Sequence, residues 1–309
     1  MLDFVPATIF TARWSDDVGQ ADWFIPRLHP FAQDAGSVIP DGFDAYCRIF
    51  HPAWRITDTG LEKLRWREVA AITGRIAHPT MQFESIRNPT EGRPDLSPHE
   101  VQDPREGAMP SDEVKLLAGI LRKFTSTPDD CWFCIWEGKG ELSGGSVILT
   151  HQSPGRPFGF DGTHIRIGDK AVSIPFLTDR LVGEQQRRAN QQWRRKATNA
   201  PPDYRTAPRV EIPHRKYFLY HGNIDGAIVL DRDSTLPLMA NMWWPEDRAW
   251  FVATEIDFAW TFVGGTRELI DRVLKDSRLE ALPISLTDRV TIDADEVNRP
   301  PLTDPDLRR

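Results

Sequence analysis

The chain has 309 residues and a formal net charge of −7, with 40% hydrophobic and 27% charged residues. This balance is typical of a globular protein with a sizeable core, and the acid excess disfavours general binding of nucleic acid or of an anionic membrane surface. No apolar run approaches the roughly 18–20 residues of a membrane span. The N-terminus lacks the features of a secretory signal, and three cysteines do not suit a disulfide framework. We therefore expect a cytoplasmic protein.

The first part of the chain predicts a strand, two helices and a long loop. Residues 43–50, FDAYCRIF, alternate as in a strand. Residues 61–73 have apolar side chains near helical spacing, and Gly74 is a natural end for that helix. The stretch between 77 and 110 contains five prolines and predicts a long loop. Ser111 then predicts an N-cap for the second helix.

The middle of the chain predicts a buried strand, a hairpin and a polar helix. Residues 131–136, CWFCIW, form a short apolar run that is typical of a buried strand. Residues 163–168 and 170–176 predict a hairpin that turns at Gly168-Asp169. A helix is expected from Leu177, and its C-terminal part is almost wholly polar.

Cys131 and Cys134 form a CxxC motif, which in other contexts points to redox or metal chemistry. Here both lie inside the apolar run, and positions i and i+3 of a strand face opposite sides. No second CxxC and no close histidine pair completes a zinc site. We therefore predict buried structural cysteines, no metal site and no cofactor.

A basic run brackets a tryptophan in the predicted polar helix. Its members are Arg187, Arg188, Arg194, Arg195 and Lys196, around Trp193. Basic and aromatic side chains together can bind nucleic acid through phosphate contacts and base stacking. The acidic total and the following Pro201-Pro202 link favour a solvated helix face instead. Nucleic acid is therefore not the expected partner.

The stretch from Met242 to Leu274 holds four of the eleven tryptophans and is the centre of the aromatic pattern. Alternation over residues 250–258 predicts a strand that places Glu255 and Asp257 on one face, roughly 6.5–7 Å apart. Such a carboxylate pair can bind a metal or divide the roles of acid and base. A solvent-facing strand end is the simpler interpretation.

Two further features of this stretch provide the remaining site candidates. Gly264 and Gly265 precede a helix that Thr266 would cap, and the free N–H groups there can hold an anion, although a tight turn needs no ligand. The adjacent Trp243 and Trp244 are not expected to be both buried, so one of them would border a pocket or an interface. The ligand-binding candidates are therefore Trp243, Trp244, Glu255, Asp257, Gly264 and Gly265.

Three phrases of the sequence resemble those of an uncharacterised protein group that is found mainly in actinobacteria. They are TSTPDDCWFCIWEG, RKYFLYHGNIDGA and MWWPEDRAWFVATEIDFAWTFVGGTRELIDRVL, the last followed by DADEVN. The resemblance covers about residues 111–140 and 205–298, where a CWF-WEG phrase precedes a WWP-DRAW-ATEID-VGG phrase. It implies a cytoplasmic bacterial protein and brings no activity, cofactor or catalytic residue with it.

We predict an α+β fold in which a mixed or mostly antiparallel sheet is packed by a few helices. These helices are at 61–73, 111–124 and 266–275. Residues 1–298 form a single domain with a mobile polar segment near 186–209, or alternatively two subdomains that divide near 199–208. Residues 299–309 form a C-terminal tail. The sequence predicts no particular oligomeric state.

Two functions remain open at this point. The first is a non-enzymatic binding or regulatory protein, for example of immunity type, that presents acidic and tryptophan side chains to a protein partner. The absence of a recognised catalytic motif, the acid excess and the abundant tryptophan favour it. The second is an enzyme that acts on a small or phosphorylated ligand at a cleft near Glu255, Asp257 and the Gly264-Gly265 turn. In that case these residues should line one concave pocket together with Trp243 or Trp244.

Overall fold

The computed structural model describes residues 12–97, 99–138, 164–167, 170–173, 205–230 and 238–298. The chain divides into two compact units, one made of Met1–Trp136 with Pro208–Arg309 and the other of Glu137–Ala207. The predicted helix from Leu177, the basic run around Trp193 and the C-terminal tail lie outside the described residues, as does most of the polar segment 186–209.

The described strands and helices are short. The strands are β1 Ala12–Ser15, β2 Ala45–Phe50, β3 Ala53–Thr57, β4 Gly60–Leu64, β5 Val101–Gln102, β6 Cys131–Trp136, β7 His164–Ile167, β8 Lys170–Ser173, β9 Val210–Ile212, β10 Arg215–Gly222, β11 Ile228–Leu230, β12 Leu238–Met239, β13 Met242–Pro245, β14 Phe251–Ala253, β15 Trp260–Gly265 and β16 Ala281–Pro283. The α-helices are α1 Trp66–Thr73, α2 Phe83–Arg87, α3 Ser111–Leu121 and α4 Arg267–Leu274. None of the helices in this described part is long and apolar enough to cross a membrane.

A nine-stranded antiparallel sheet dominates the first unit. Its strand order is β1-β10-β6-β13-β14-β15-β2-β16, and β9 is also paired with β10. A smaller sheet has the order β4-β3-β5, and β11 pairs with β12. Helices α3 and α4 contact each other, and α4 packs against β2, β15 and β16. The predicted α+β class with a mostly antiparallel sheet is therefore confirmed.

Aromatic side chains cover both faces of the central strands. On one face of β13, Trp244 stacks on Phe251 with ring centroids 5.6 Å apart and contacts Phe24 at 5.1 Å. Trp243, the preceding residue, points to the opposite face, where it meets Trp250 edge-on at 5.2 Å. Trp243 and Trp244 are only 3% and 1% exposed. The expectation that they are not both buried is wrong, because apolar layers pack on both sides of this sheet.

Two of the predicted helix starts differ from those in the structure. The first five residues of the predicted helix 61–73 do not form a helix: Leu61 to Leu64 belong to β4, which pairs with β3, and α1 starts only at Trp66. At α3, Ser111 is already helical and Pro110 occupies the N-cap position. The interstrand hydrogen bonds of β4 thus override a local helical pattern.

Other local predictions agree with the structure. Gly74 ends α1 with a left-handed backbone conformation, φ 76°, which favours glycine. Thr266 caps α4 by accepting a hydrogen bond from the backbone N–H of Leu269 at 3.2 Å. The predicted loop between 77 and 110 is not wholly irregular, since it contains α2 and β5.

In the second unit the structure describes one hairpin. Strands β7 and β8 are antiparallel, with His164 opposite Ser173 and Ile167 opposite Lys170. This pairing confirms the hairpin that the sequence predicts on either side of Gly168-Asp169.

Candidate functional site

The alternation predicts that Glu255 and Asp257 share one face of a strand. In the structure both residues lie in a turn instead. β14 ends at Ala253 and β15 begins at Trp260, so the residues between them connect two neighbouring antiparallel strands. The backbone N–H of Asp257 donates to Oε2 of Glu255 at 2.6 Å, and that of Phe258 donates to the carbonyl of Glu255 at 3.1 Å. The strand prediction fails here because the pairing between β13 and β14 stops at Ala253.

Arg215, at the start of β10, joins both carboxylates. Its Nε donates to Oε1 of Glu255 at 2.6 Å, and its Nη2 donates to Oδ2 of Asp257 at 2.8 Å. Its Nη1 donates to the carbonyl of His214 at 3.2 Å. Each nitrogen of the guanidinium group thus has an acceptor within the protein. We call Arg215, Glu255 and Asp257 the ion triad.

The electrostatics of the ion triad favour the charged form of Arg215. Burial by itself lowers the pKa of Arg215, but the hydrogen bond and charge of Glu255, together with the charge of Asp257, raise that pKa above its ordinary value. The neighbouring Tyr217 is buried, and burial followed by the negative charge of Glu255 raises the pKa of its hydroxyl. Tyr217 therefore stays neutral beside the triad at physiological pH.

A cavity of about 280 Å³ opens beside the ion triad, and we call it the triad cavity. Its lining residues are Phe31, Ala32, Ser37, Val38, Ile212, Arg215, Tyr217, Met242, Thr254, Glu255, Asp257 and Phe258. Phe31 is partly exposed, and its ring centroid lies 4.8 Å from the ring of His214 and 5.5 Å from the guanidinium carbon of Arg215. Most of the lining is apolar, so the triad cavity suits an apolar group.

A buried hydrogen-bond chain supports the wall of the triad cavity. Nδ1 of His51 donates to the carbonyl of Arg105 at 2.7 Å, so Nε2 accepts from the Thr261 hydroxyl at 2.9 Å. The Thr261 oxygen then accepts from the hydroxyl of Thr254, 2.7 Å away, and Thr254 lines the cavity. Burial lowers the pKa of His51 to about 4, so its imidazole is neutral and can accept. The chain fixes Thr254, and it engages both ring nitrogens of His51 in hydrogen bonds within the protein.

The structure places the other four site candidates away from the triad cavity. Trp243, Trp244, Gly264 and Gly265 do not line it, and all four are buried in the sheet. A Cβ atom on Gly264 would lie 2.8 Å from the ring of Phe43, and one on Gly265 would lie 2.6 Å from Leu269. Close packing therefore explains both glycines. Of the six candidates, only Glu255 and Asp257 are brought together at a cavity.

Cys131 and Cys134 are fully buried free thiols, as the sequence predicts. Burial raises the pKa of both, that of Cys131 to about 12, so neither is a thiolate at physiological pH. Among the described residues, no group of three or more His, Cys, Asp or Glu side chains is arranged to hold a metal ion. The CxxC motif is therefore part of the core.

Sequence reasoning missed Arg215 and His51. Arg215 lies 40 residues before Glu255, and His51 lies 210 residues before Thr261. The only local signal is that Arg215 opens a strand at the basic pair Arg215-Lys216, which predicts no partner.

Comparison of the chain with protein-family models, with curated proteins and with solved structures finds no match.

Proposed function

We propose that the protein is a non-enzymatic binding or regulatory protein, and that its triad cavity receives one apolar side chain of a protein partner. The observation that carries this proposal is the ion triad. Because Arg215 already donates a hydrogen bond to each carboxylate, Glu255 and Asp257 are held in place as a charged wall and are poorly suited to exchange protons with a substrate.

The size and lining of the triad cavity support a side chain as its occupant. A volume of about 280 Å³ falls just below the range of about 300–1,000 Å³ that is typical of small-molecule sites. Protein interfaces commonly place a single apolar anchor into a pocket of this kind, with polar groups around it. Here Val38, Ile212 and Met242 provide apolar walls, and the exposed carboxylate of Asp257 provides a polar rim.

The structure changes the role that tryptophan plays in this proposal. None of the tryptophans whose burial is described is exposed, so they do not present a surface to a partner. Phe31 is an exposed aromatic residue at the triad cavity. We therefore propose Phe31, Ile212 and Asp257 as the contact residues.

A cleft enzyme remains the second candidate, because Glu255 and Asp257 do line a cavity. An enzyme that acts on a phosphorylated ligand has less support, since Gly264 and Gly265 are buried within β15. An enzyme would lose turnover in Glu255→Gln while it still bound its substrate. A binding protein has no turnover to lose.

Capped amino-acid amides test the proposed function as surrogates for a partner side chain. We expect N-acetyl-leucinamide and N-acetyl-phenylalaninamide to shift the NMR resonances of Ile212 and Met242, and N-acetyl-serinamide to leave them unchanged. Ile212→Trp should fill the triad cavity and abolish the shift of the Met242 resonance. Ile56→Trp is the matched control, because Ile56 is exposed on the small sheet and does not line the cavity. Equal binding of the polar and apolar amides, or unchanged binding by Ile212→Trp, would refute the proposal.

We further propose that the chain belongs to the mainly actinobacterial group that it resembles and works in the cytoplasm. The CWF and WWP phrases build β6 and β13, which are adjacent in the sheet, and all three cysteines are buried free thiols. Cell fractionation of the native host tests the location. Recovery of the protein from the membrane or the secreted fraction would contradict it.

A further inference from the structure

Tyr217 brings an unpaired polar group to the triad cavity. It lies on β10 shortly after Arg215, lines the cavity and is almost wholly buried. No hydrogen bond among the described residues involves its hydroxyl. That hydroxyl is nevertheless not one of the fully enclosed polar atoms without a partner, so it keeps accessible surface. Since Tyr217 lines the triad cavity, the cavity is where its hydroxyl meets open space.

The burial of the lining residues shows which end of the triad cavity is deep. Phe31 is 36% exposed and the side chain of Asp257 is 68% exposed, so both lie at the mouth. Tyr217 and Met242 are only 2% and 3% exposed, so they lie at the bottom. The hydroxyl of Tyr217 is therefore a polar group at the deep end of a cavity whose walls are mostly apolar.

An occupant without polar atoms would leave this hydroxyl unpaired. A buried tyrosine hydroxyl usually has a hydrogen-bond partner, and it can both donate and accept. Burial and the negative charge of Glu255 raise the pKa of Tyr217, so its hydroxyl keeps its proton and can donate. A leucine or phenylalanine side chain would cover this donor without pairing it, which costs free energy. The best occupant therefore has an apolar body that ends in a polar atom.

Charge and hydrogen-bonding capacity narrow the choice of that polar atom. A carboxylate or phosphate would meet the negative charges of Glu255 and Asp257, between which Arg215 already divides its own charge. An indole N–H only donates, and a thioether sulfur accepts weakly. A neutral hydroxyl both donates and accepts, so it can pair with Tyr217 in either direction.

The shape of the triad cavity selects the kind of hydroxyl. The hydroxyl of a serine or threonine lies next to its own backbone and buries little apolar surface on the way to the bottom. A phenol carries its hydroxyl at the far end of an apolar ring. The volume of about 280 Å³ exceeds the roughly 150 Å³ of an engineered cavity that binds benzene. A phenol ring therefore has room between the walls.

We propose that the partner side chain received by the triad cavity is a tyrosine, and that its hydroxyl forms a hydrogen bond with the hydroxyl of Tyr217. Tyrosine is among the residues that most often carry the binding energy of protein interfaces. The inference rests on the proposed function, because it names the residue type that enters the same site. It also implies that phosphorylation of this tyrosine prevents binding, since the phosphate would meet Glu255 and Asp257.

Two capped amino-acid amides that differ only in one hydroxyl test the inference. We expect N-acetyl-tyrosinamide to shift the NMR resonances of Met242 and to bind about three- to tenfold more tightly than N-acetyl-phenylalaninamide. N-acetyl-phosphotyrosinamide should leave these resonances unchanged. If the phenylalanine amide binds and the tyrosine amide binds no more tightly, this inference fails and the proposed function stands. If neither amide binds, both fail.

Removal of single hydroxyl groups from β10 locates the contact. Tyr217→Phe keeps the ring and should reverse the preference, because the hydroxyl of the tyrosine amide then has no partner in the cavity. Tyr220→Phe is the matched control, since Tyr220 is a buried tyrosine of the same strand that does not line the triad cavity. It should keep the preference of the unsubstituted protein. A preference for the tyrosine amide that persists in Tyr217→Phe, with circular dichroism showing the variant folded, would overturn the assignment.

Discussion

At the scale of single residues, the ion triad depends on Arg215 more than on either acid. The side chains of Arg215 and Glu255 are 17% and 10% exposed, so water hydrates both charges poorly. A charge that loses its partner in such a place is costly, whereas the loss of both partners costs less. The stability of the 254–258 turn should therefore respond in an asymmetric way to substitution.

We expect Arg215→Met to lower the free energy of unfolding by about 1–3 kcal/mol, because it leaves Glu255 charged and unpaired. The Arg215→Met/Glu255→Gln double variant should regain part of that loss. Urea unfolding followed by circular dichroism measures both changes.

The control for this experiment is on the same strand. Lys216→Met removes an ion pair with Glu211 in which both side chains are exposed, and such pairs contribute only about 0–1 kcal/mol. If Lys216→Met and Arg215→Met lower the free energy of unfolding equally, the ion triad contributes no more to stability than an exposed ion pair.

At the scale of elements, Asp295 holds the segment after β16 against the segment before α2. Its carboxylate accepts hydrogen bonds from Nε2 of His78 at 2.8 Å, from the backbone N–H of Gln82 at 3.2 Å and from the backbone N–H of Asn298 at 2.8 Å. The side-chain amide of Asn298 adds a bond at 3.0 Å and also pairs with the backbone of Ile76. One carboxylate thus joins segments more than 200 residues apart.

We expect the contribution of Asp295 to stability to disappear in acid. Burial by itself raises the pKa of Asp295, but the hydrogen bonds from His78, Asn298 and Gln82 lower it to about 2. A carboxyl group whose pKa is depressed by folding stabilises the protein above its unfolded pKa of about 3.9, and this contribution is lost as the pH falls through the folded value.

The Asp295→Asn variant should therefore be less stable than the unsubstituted protein by about 1.5–3 kcal/mol at pH 7, and by progressively less between pH 4 and pH 2. Urea unfolding at a series of pH values measures the difference. Asp58→Asn, in the exposed turn between β3 and β4, should show no such pH-dependent difference. A difference for Asp295→Asn that is the same at pH 2 and pH 7 would contradict this account.

At the scale of the whole molecule, the sequence predicts the strands and helix ends better than the contacts between residues that are far apart in the chain. The alternation at residues 43–50 predicts β2, and the apolar run at residues 131–136 predicts β6, a strand that is almost wholly buried. Thr266 and Gly74 mark helix ends because capping is local. The ion triad and the His51 hydrogen-bond chain join residues 40 and 210 positions apart, and no local pattern encodes such contacts.

The two-sided covering of the sheet explains why the pattern of β13 is misleading. A strand with one solvent face alternates apolar and polar residues, whereas MWWP is apolar throughout. If one face of the sheet met solvent, one of the two tryptophans in this run would be exposed. Packing of Trp244 against Phe24 and Phe251 on one face, and of Trp243 against Phe133 and Trp250 on the other, removes that requirement.

This packing predicts that the two tryptophans contribute comparable amounts to the stability of the first unit. Trp243→Ala and Trp244→Ala should each lower the free energy of unfolding by about 3–5 kcal/mol, because each leaves a large cavity in a separate aromatic layer. Trp54→Ala, on the small sheet where Trp54 is only half-buried, should cost clearly less. Urea unfolding followed by circular dichroism measures all three, and Trp→Phe variants replace any alanine variant that does not fold. If Trp243 or Trp244 costs no more to remove than Trp54, one face of the central sheet is not part of the core.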